Sequence, residues 1–132
     1  MNEETDVSRI ILVVEDVEET RDGIVKLLSA DGYCVEAARD ERGAIEIAGR
    51  RFPDLILVSL GGPLRDMIAT AQRMRLRSEL SENVPVVIFC SGEVAEGDEV
   101  AIGENVYATY PDNFNQLRRL IARLLNEVPN LA

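Results

Sequence analysis

Arg51-Phe52-Pro53-Asp54-Leu55-Ile56-Leu57-Val58-Ser59-Leu60-Gly61-Gly62-Pro63 is the stretch on which the fold turns. Pro53 and Asp54 end whatever precedes them, because a proline disfavours helix at the residue before it. Leu55 to Val58, with Leu60 beyond, is too short a run for an independent helix, and Gly61-Gly62-Pro63 stops it at once. A short apolar run bounded by turn residues predicts a central strand buried on both faces. Its last polar residue, Ser59, falls at the carboxyl end, where open parallel sheets place their sites.

Working outward, the same pattern recurs. Arg9 to Val14 is a second buried-strand run, and Glu15-Asp16 closes it. A helix is predicted over Glu18–Ala30, with Ile24, Leu27 and Leu28 as its apolar stripe and Asp31-Gly32 as its stop. Tyr33 to Ala37 alternates as a strand nearer an edge, and Asp40 to Arg51 reads as an amphipathic helix on Ala44, Ile45, Ile47 and Ala48. Beyond the central strand, Asp66 to Leu80 is predicted helical with Met67, Ile68, Ala71 and Met74 inward. Val84 to Cys90 is a further strand, in which Pro85 is tolerable near the start. Residues 91–98 read as a loop and Glu99–Ile102 as a short helix. Val106 to Tyr110 is the last strand, and a final helix runs from a cap at Asp112 or Asn113 to Asn126.

Apolar strands alternating with amphipathic helices predict an α/β domain, a doubly wound five-stranded parallel sheet with right-handed crossovers. The common order for five strands, 2-1-3-4-5, makes strands 1 and 3 neighbours. Glu15, Asp16 and Ser59 then share one crevice, with Cys90 beside them. The expected organisation is an acidic flexible tail over residues 1–8, one domain over 9–126 and a short tail over 127–132, with no room after residue 126 for an output domain. On this expectation the chain stands alone.

Composition narrows the function. Among 132 residues, 14 basic and 24 acidic side chains give a net charge of −10. Such a surface repels phosphate backbones and anionic lipid, so nucleic-acid and membrane binding are not expected. No apolar run approaches the roughly 20 residues that cross a bilayer, and the acidic start lacks the features of a signal peptide, so a cytoplasmic location is expected. The chain has no histidine, which removes the commonest general base and metal ligand. Cys34 and Cys90 lack metal or redox spacing and are expected to be buried, reduced core residues. Adjacent carboxylates at Glu15 and Asp16 suit a hard cation such as Mg²⁺; an alternative is that Asp16 caps the helix that follows.

Ile11 to Asp16, Asp31 to Val35, Pro53 to Pro63 and Pro85 to Ile88, in this order and spacing, resemble the receiver domain of bacterial response regulators, the CheY-like family. The resemblance covers residues 9–126. It implies a flavodoxin-like domain that accepts a phosphoryl group from a histidine kinase on an aspartate, with an acidic pair for Mg²⁺, a hydroxyl and a lysine for the phosphoryl oxygens and an aromatic switch. Glu15 and Asp16 match the acidic pair, and Tyr107 the switch. Ser59 falls on the acceptor position, Cys90 on the hydroxyl position and Tyr110 on the lysine position. Pro63 fits the proline after the acceptor, and the resemblance makes Tyr110–Pro111 a candidate cis peptide.

Three of these positions are changed in one direction. Ser59 can neither become an acyl phosphate nor supply a third anionic oxygen to a cation. Cys90 is a weak donor, and Tyr110 has no fixed charge. The segment between Cys90 and Tyr110 is slightly shorter than the family's, so the partner-binding face around it is expected to be reshaped. The expectation is therefore a degenerate receiver that is no enzyme, requires no cofactor, binds Mg²⁺ weakly if at all, and acts through a protein partner, a histidine kinase or downstream regulator, or as a homodimer. Two alternatives stand beside it. One is a working phosphorelay regulator that uses Asp16 or Ser59 as acceptor. The other is a flavin or nucleotide binder, which the missing GxxxxGK[ST] and GxGxxG patterns disfavour.

Overall fold

The computed structural model describes residues 8–80 and 82–126. Of the expected tails, 1–8 and 127–132, all but Ser8 lies outside the described residues. Strands β1 (Ile10–Glu15), β2 (Cys34–Ala38), β3 (Leu55–Ser59), β4 (Val86–Phe89), β5 (Glu99–Gly103) and β6 (Val106–Thr109) form one sheet. Helices α1 (Glu18–Ala30), α2 (Glu41–Arg51), α3 (Leu64–Arg77) and α4 (Phe114–Leu124) cover it. The sheet order is β2-β1-β3-β4-β6-β5. All pairs are parallel except β5 with β6. The five parallel strands take the predicted doubly wound order, and β5 adds a sixth at the edge.

Strand residues alternate between two cores although all are apolar, because successive side chains point to opposite faces. Leu12, Val14, Ile56, Val58, Val86 and Ile88 pack with Ala44, Ala48, Met67, Ala71 and Met74 of α2 and α3. Ile11, Val13, Leu55, Leu57 and Val87 face the opposite way, onto Leu28 of α1 and Leu117, Leu120 and Ile121 of α4. The final helix buries four residues at helical spacing.

Local signals place the boundaries. Asp31 and Gly32 return their amides to Leu28 and Ser29 and end α1, with Gly32 at φ 98°. Asp40 caps α2 by accepting the Gly43 amide at 2.8 Å, and Asn113 caps α4 by accepting that of Gln116 at 3.0 Å. Asp54 ties two strand starts together: its carboxylate accepts the Ile10 amide and its amide returns to the Ile10 carbonyl, both at 2.7 Å. Helix α3 begins at Leu64, ahead of the expected Asp66, because Pro63 supplies an N-cap residue with preset φ.

Three expectations are corrected. Glu99–Ile102 is strand rather than helix. The Glu104-Asn105 turn, with Asn105 at φ 58°, folds this segment back on β6 as a hairpin. The Tyr110–Pro111 bond is trans, as are all peptide bonds among the described residues. The Tyr110 backbone is held between Asp98, whose carbonyl accepts its amide, and Gly97, whose amide donates to its carbonyl at 2.7 Å. Cys34 is only half-buried, because β2 is an edge strand; its Sγ accepts from Arg51 at 3.4 Å.

At the opposite end of the sheet, the Arg75 guanidinium gathers three backbone carbonyls. It donates to Glu104 at 2.7 Å, Val84 at 2.6 Å and Asn105 at 3.3 Å. This ties the last turn of α3 to the start of β4 and to the tip of the β5–β6 hairpin.

Candidate functional site

The register of β1 and β3 sets Glu15 directly beside Ser59. Glu15 is 4% exposed. The Ser59 hydroxyl donates to Glu15 Oε1 at 2.8 Å, and the Val17 amide donates to Oε2 at 2.9 Å. Each carboxylate oxygen therefore already has a donor from the protein, as a buried carboxylate needs. Arg21, one turn into α1, donates to the Glu15 backbone carbonyl at 2.9 Å. The N-cap of α1 is Val17, with no side-chain cap; Asp16 is exposed. The capping expected of Asp16 passes in part to Glu15. Glu15 and Asp16 are the side chains here that could hold a cation, and each Glu15 oxygen keeps one lone pair beyond its bond from Ser59 or Val17. Among the described residues no three Cys, Asp or Glu side chains are grouped as a metal site.

After Ser59 the chain turns through Gly61 and Gly62 at φ 78° and 83°. Two successive left-handed residues are strained for any side chain but glycine. This turn delivers Pro63 to the head of α3 and opens the sheet end. Glu93 closes the far side. Its carboxylate accepts the Leu64 amide and stands 3.7 Å from the Cys90 Sγ. Cys90 is buried, and burial pushes its thiol pKa up, so it presents a neutral thiol.

Beyond this corner lies a cleft of about 580 Å³ between α1, α4 and the carboxyl ends of β3, β4 and β6. Ser59, Cys90, Tyr110 and Pro111 line it, together with Ile24, Leu27, Phe89 and Phe114. The structure thus brings Glu15, Ser59 and Cys90 to one end of the sheet, with Tyr110 across the cleft. Tyr107 is not among the lining residues: its hydroxyl donates to Asn105 at 3.0 Å, toward the amino end of β6. Sequence reading missed Glu93, Phe89 and Phe114. The two phenylalanines were legible as apolar positions of a strand and a helix, but nothing in their spacing marks the side of the cleft.

No protein-family model matches the chain. The transcriptional regulatory protein KdpE of the KDP operon of Escherichia coli K12 is 34% identical over 112 residues, which are 82% of this chain and 47% of that protein. The chain spans about half the length of the curated relatives it matches. The receiver domain of the sensor histidine kinase PA1611 of Pseudomonas aeruginosa PAO1 superposes with a TM-score of 0.69 at 24% identity, covering 92% of this chain and all of that one. The chemotaxis protein CheY4 of Vibrio cholerae gives the same TM-score at 19% identity, covering 89% and 99%. The two structural likenesses establish the fold, the regulators supply the sequence kinship, and together they identify this chain as a response-regulator receiver domain of the CheY-like family.

Proposed function

We propose that this receiver domain works in two-component signalling by protein–protein interaction, without aspartyl phosphorylation and without catalytic turnover. The observation that carries the reading is the Ser59 hydroxyl donating to Glu15 at 2.8 Å. A hydroxyl there supplies no acyl-phosphate chemistry and no anionic oxygen for a cation, and it already engages one lone pair of Glu15. Cys90 and Tyr110 support the same reading, since neither offers a charged donor to a phosphoryl oxygen. A cation is not required, because hydrogen bonds already neutralise the cost of burying Glu15. The partner is a protein of the phosphorelay, a histidine kinase or a downstream regulator.

The test compares the wild type with Ser59→Asp, each treated with acetyl phosphate and Mg²⁺ and followed by intact-mass spectrometry, with amide NMR in Mg²⁺ and beryllofluoride alongside. The wild type is expected to gain no phosphoryl mass and to show no beryllofluoride-dependent shifts around Glu15 and Asp16. Stoichiometric, Mg²⁺-dependent modification of the wild type would overturn the proposal, and mapping it to Asp16 or Ser59 would establish a working relay with a moved acceptor.

A further inference from the structure

The cleft at the carboxyl ends of the strands has a size and lining suited to a small molecule. Its volume of about 580 Å³ falls within the roughly 300–1,000 Å³ of small-ligand sites, which are mostly apolar with a few convergent polar groups. Three of the protein's six Phe and Tyr residues, Phe89, Tyr110 and Phe114, line it. Ile24 and Leu27 complete an apolar wall from α1, and Leu27 is 47% exposed. The Ser59 and Ser91 hydroxyls stand among them.

Charge selects the ligand class. No lysine or arginine lines the cleft, whereas two carboxylates stand one side chain behind it: Glu15 against Ser59 and Glu93 against Cys90. Because the Ser59 hydroxyl donates its hydrogen bond to Glu15, its oxygen is left as a polarised acceptor. Two cations of α1 and α4 are committed elsewhere. Arg21 is bonded to the Glu15 carbonyl. Arg118, over the Phe114 ring at 5.6 Å, makes two 2.7 Å bonds to Asp31. A phosphate or carboxylate would find no counter-charge among the lining side chains, while an ammonium would find aromatic faces and acceptors backed by carboxylates.

We infer that this cleft binds a small aromatic amine, with its ring against Phe89, Tyr110 and Phe114 and its ammonium toward Ser59. The inference goes beyond the proposed function and does not depend on it, since the same cleft would take such a ligand whether or not any residue is phosphorylated.

The test titrates the protein with three isosteric probes, 2-naphthylmethylamine, 2-naphthalenemethanol and 2-naphthoate, and follows amide NMR shifts. Saturable shifts are expected at Ser59, Gly61, Gly62, Ser91 and Asn113, with the amine binding about tenfold more tightly than the carboxylate and the alcohol between them. Leu27→Arg, at a half-exposed rim position, is expected to weaken the amine and admit the carboxylate. Leu76→Arg, at a 79% exposed position on α3 outside the cleft, is expected to change neither, and both variants should keep the wild-type spectrum elsewhere. No saturable binding, tighter binding of the carboxylate by the wild type, or a Leu27→Arg protein with wild-type preference would each overturn the inference. Shifts of the same amides on dilution of the protein alone would also overturn it, by showing that a second copy covers the cleft.

Discussion

The carboxyl ends of β1 and β3 and those of β4 and β6 meet the expectations drawn from the sequence in different ways. At the first pair the backbone is the expected one, and a single hydrogen bond, Ser59 to Glu15, closes the site on itself. At the second pair the chain itself is rebuilt: an antiparallel strand replaces the expected helix, and Tyr110 is pinned between Gly97 and Asp98. The first change is one side chain deep, so a point substitution can test it. The second is written into the backbone, beyond the reach of a single substitution.

Ser59→Asp presses hardest on this contrast. It sets a second carboxylate against buried Glu15, and a like charge at that distance raises the pKa of the pair. The variant is expected to lose about 2 kcal/mol at neutral pH. A carboxyl group whose folded pKa is raised binds more protons folded than unfolded, so the loss is full at neutral pH and fades as pH falls through the raised value. Chemical denaturation between pH 7 and 4 checks this, and Mg²⁺ should restore part of the stability at pH 7. A variant as stable as wild type at pH 7 would mean that Glu15 readily swings out to solvent.

Thr109→Val probes the rebuilt end. Thr109 is 1% exposed, and its hydroxyl donates to the Asp98 carbonyl at 2.9 Å. The isosteric change is expected to cost about 1 kcal/mol and to speed amide exchange at Gly97 and Tyr110 while leaving Val17 unchanged. Faster exchange at Val17 as well would join the two ends into one cooperative unit and erase the contrast.

Glu41→Gln calibrates both against an ion pair outside the site. Glu41 accepts two bonds from Arg73, at 2.8 and 2.7 Å, and that hydrogen-bonded guanidinium holds its carboxyl below the ordinary value of 4.5. A lowered folded pKa contributes stability above the unfolded value, lost as pH falls through the folded one. With Arg73 45% exposed, the effect is expected to be under about 0.5 kcal/mol. It should appear in denaturation at pH 7 and vanish by pH 3.

The same contrast governs what could be read from the sequence. Helix α1 occupies the residues its periodicity and stop signal predict, Glu18–Ala30, because thirteen residues give an apolar stripe room to repeat. The parallel strands were legible because continuous burial leaves an unbroken apolar run. The segment 99–103 was misread because Val100-Ala101-Ile102 is too short to show a period. The better signal was the two-residue turn Glu104-Asn105 between two apolar runs, with an asparagine able to take left-handed φ. At the site, order and register were enough to set Ser59 beside Glu15. The direction of the Ser59 hydroxyl and the reach of Glu93 back to Leu64 depend on contacts between distant segments, which no local pattern encodes.

The three carbonyls gathered by Arg75 have a consequence for how the molecule meets acid. A guanidinium stays protonated over the whole range in which carboxylates titrate, even where burial draws its pKa down. The hairpin tip and the start of β4 are therefore fastened by a charge that acid cannot remove. Its three acceptors are backbone carbonyls, so no member of the junction titrates in that range. Acid should thus release carboxylate fastenings such as Glu41 to Arg73 while the Arg75 junction stays closed.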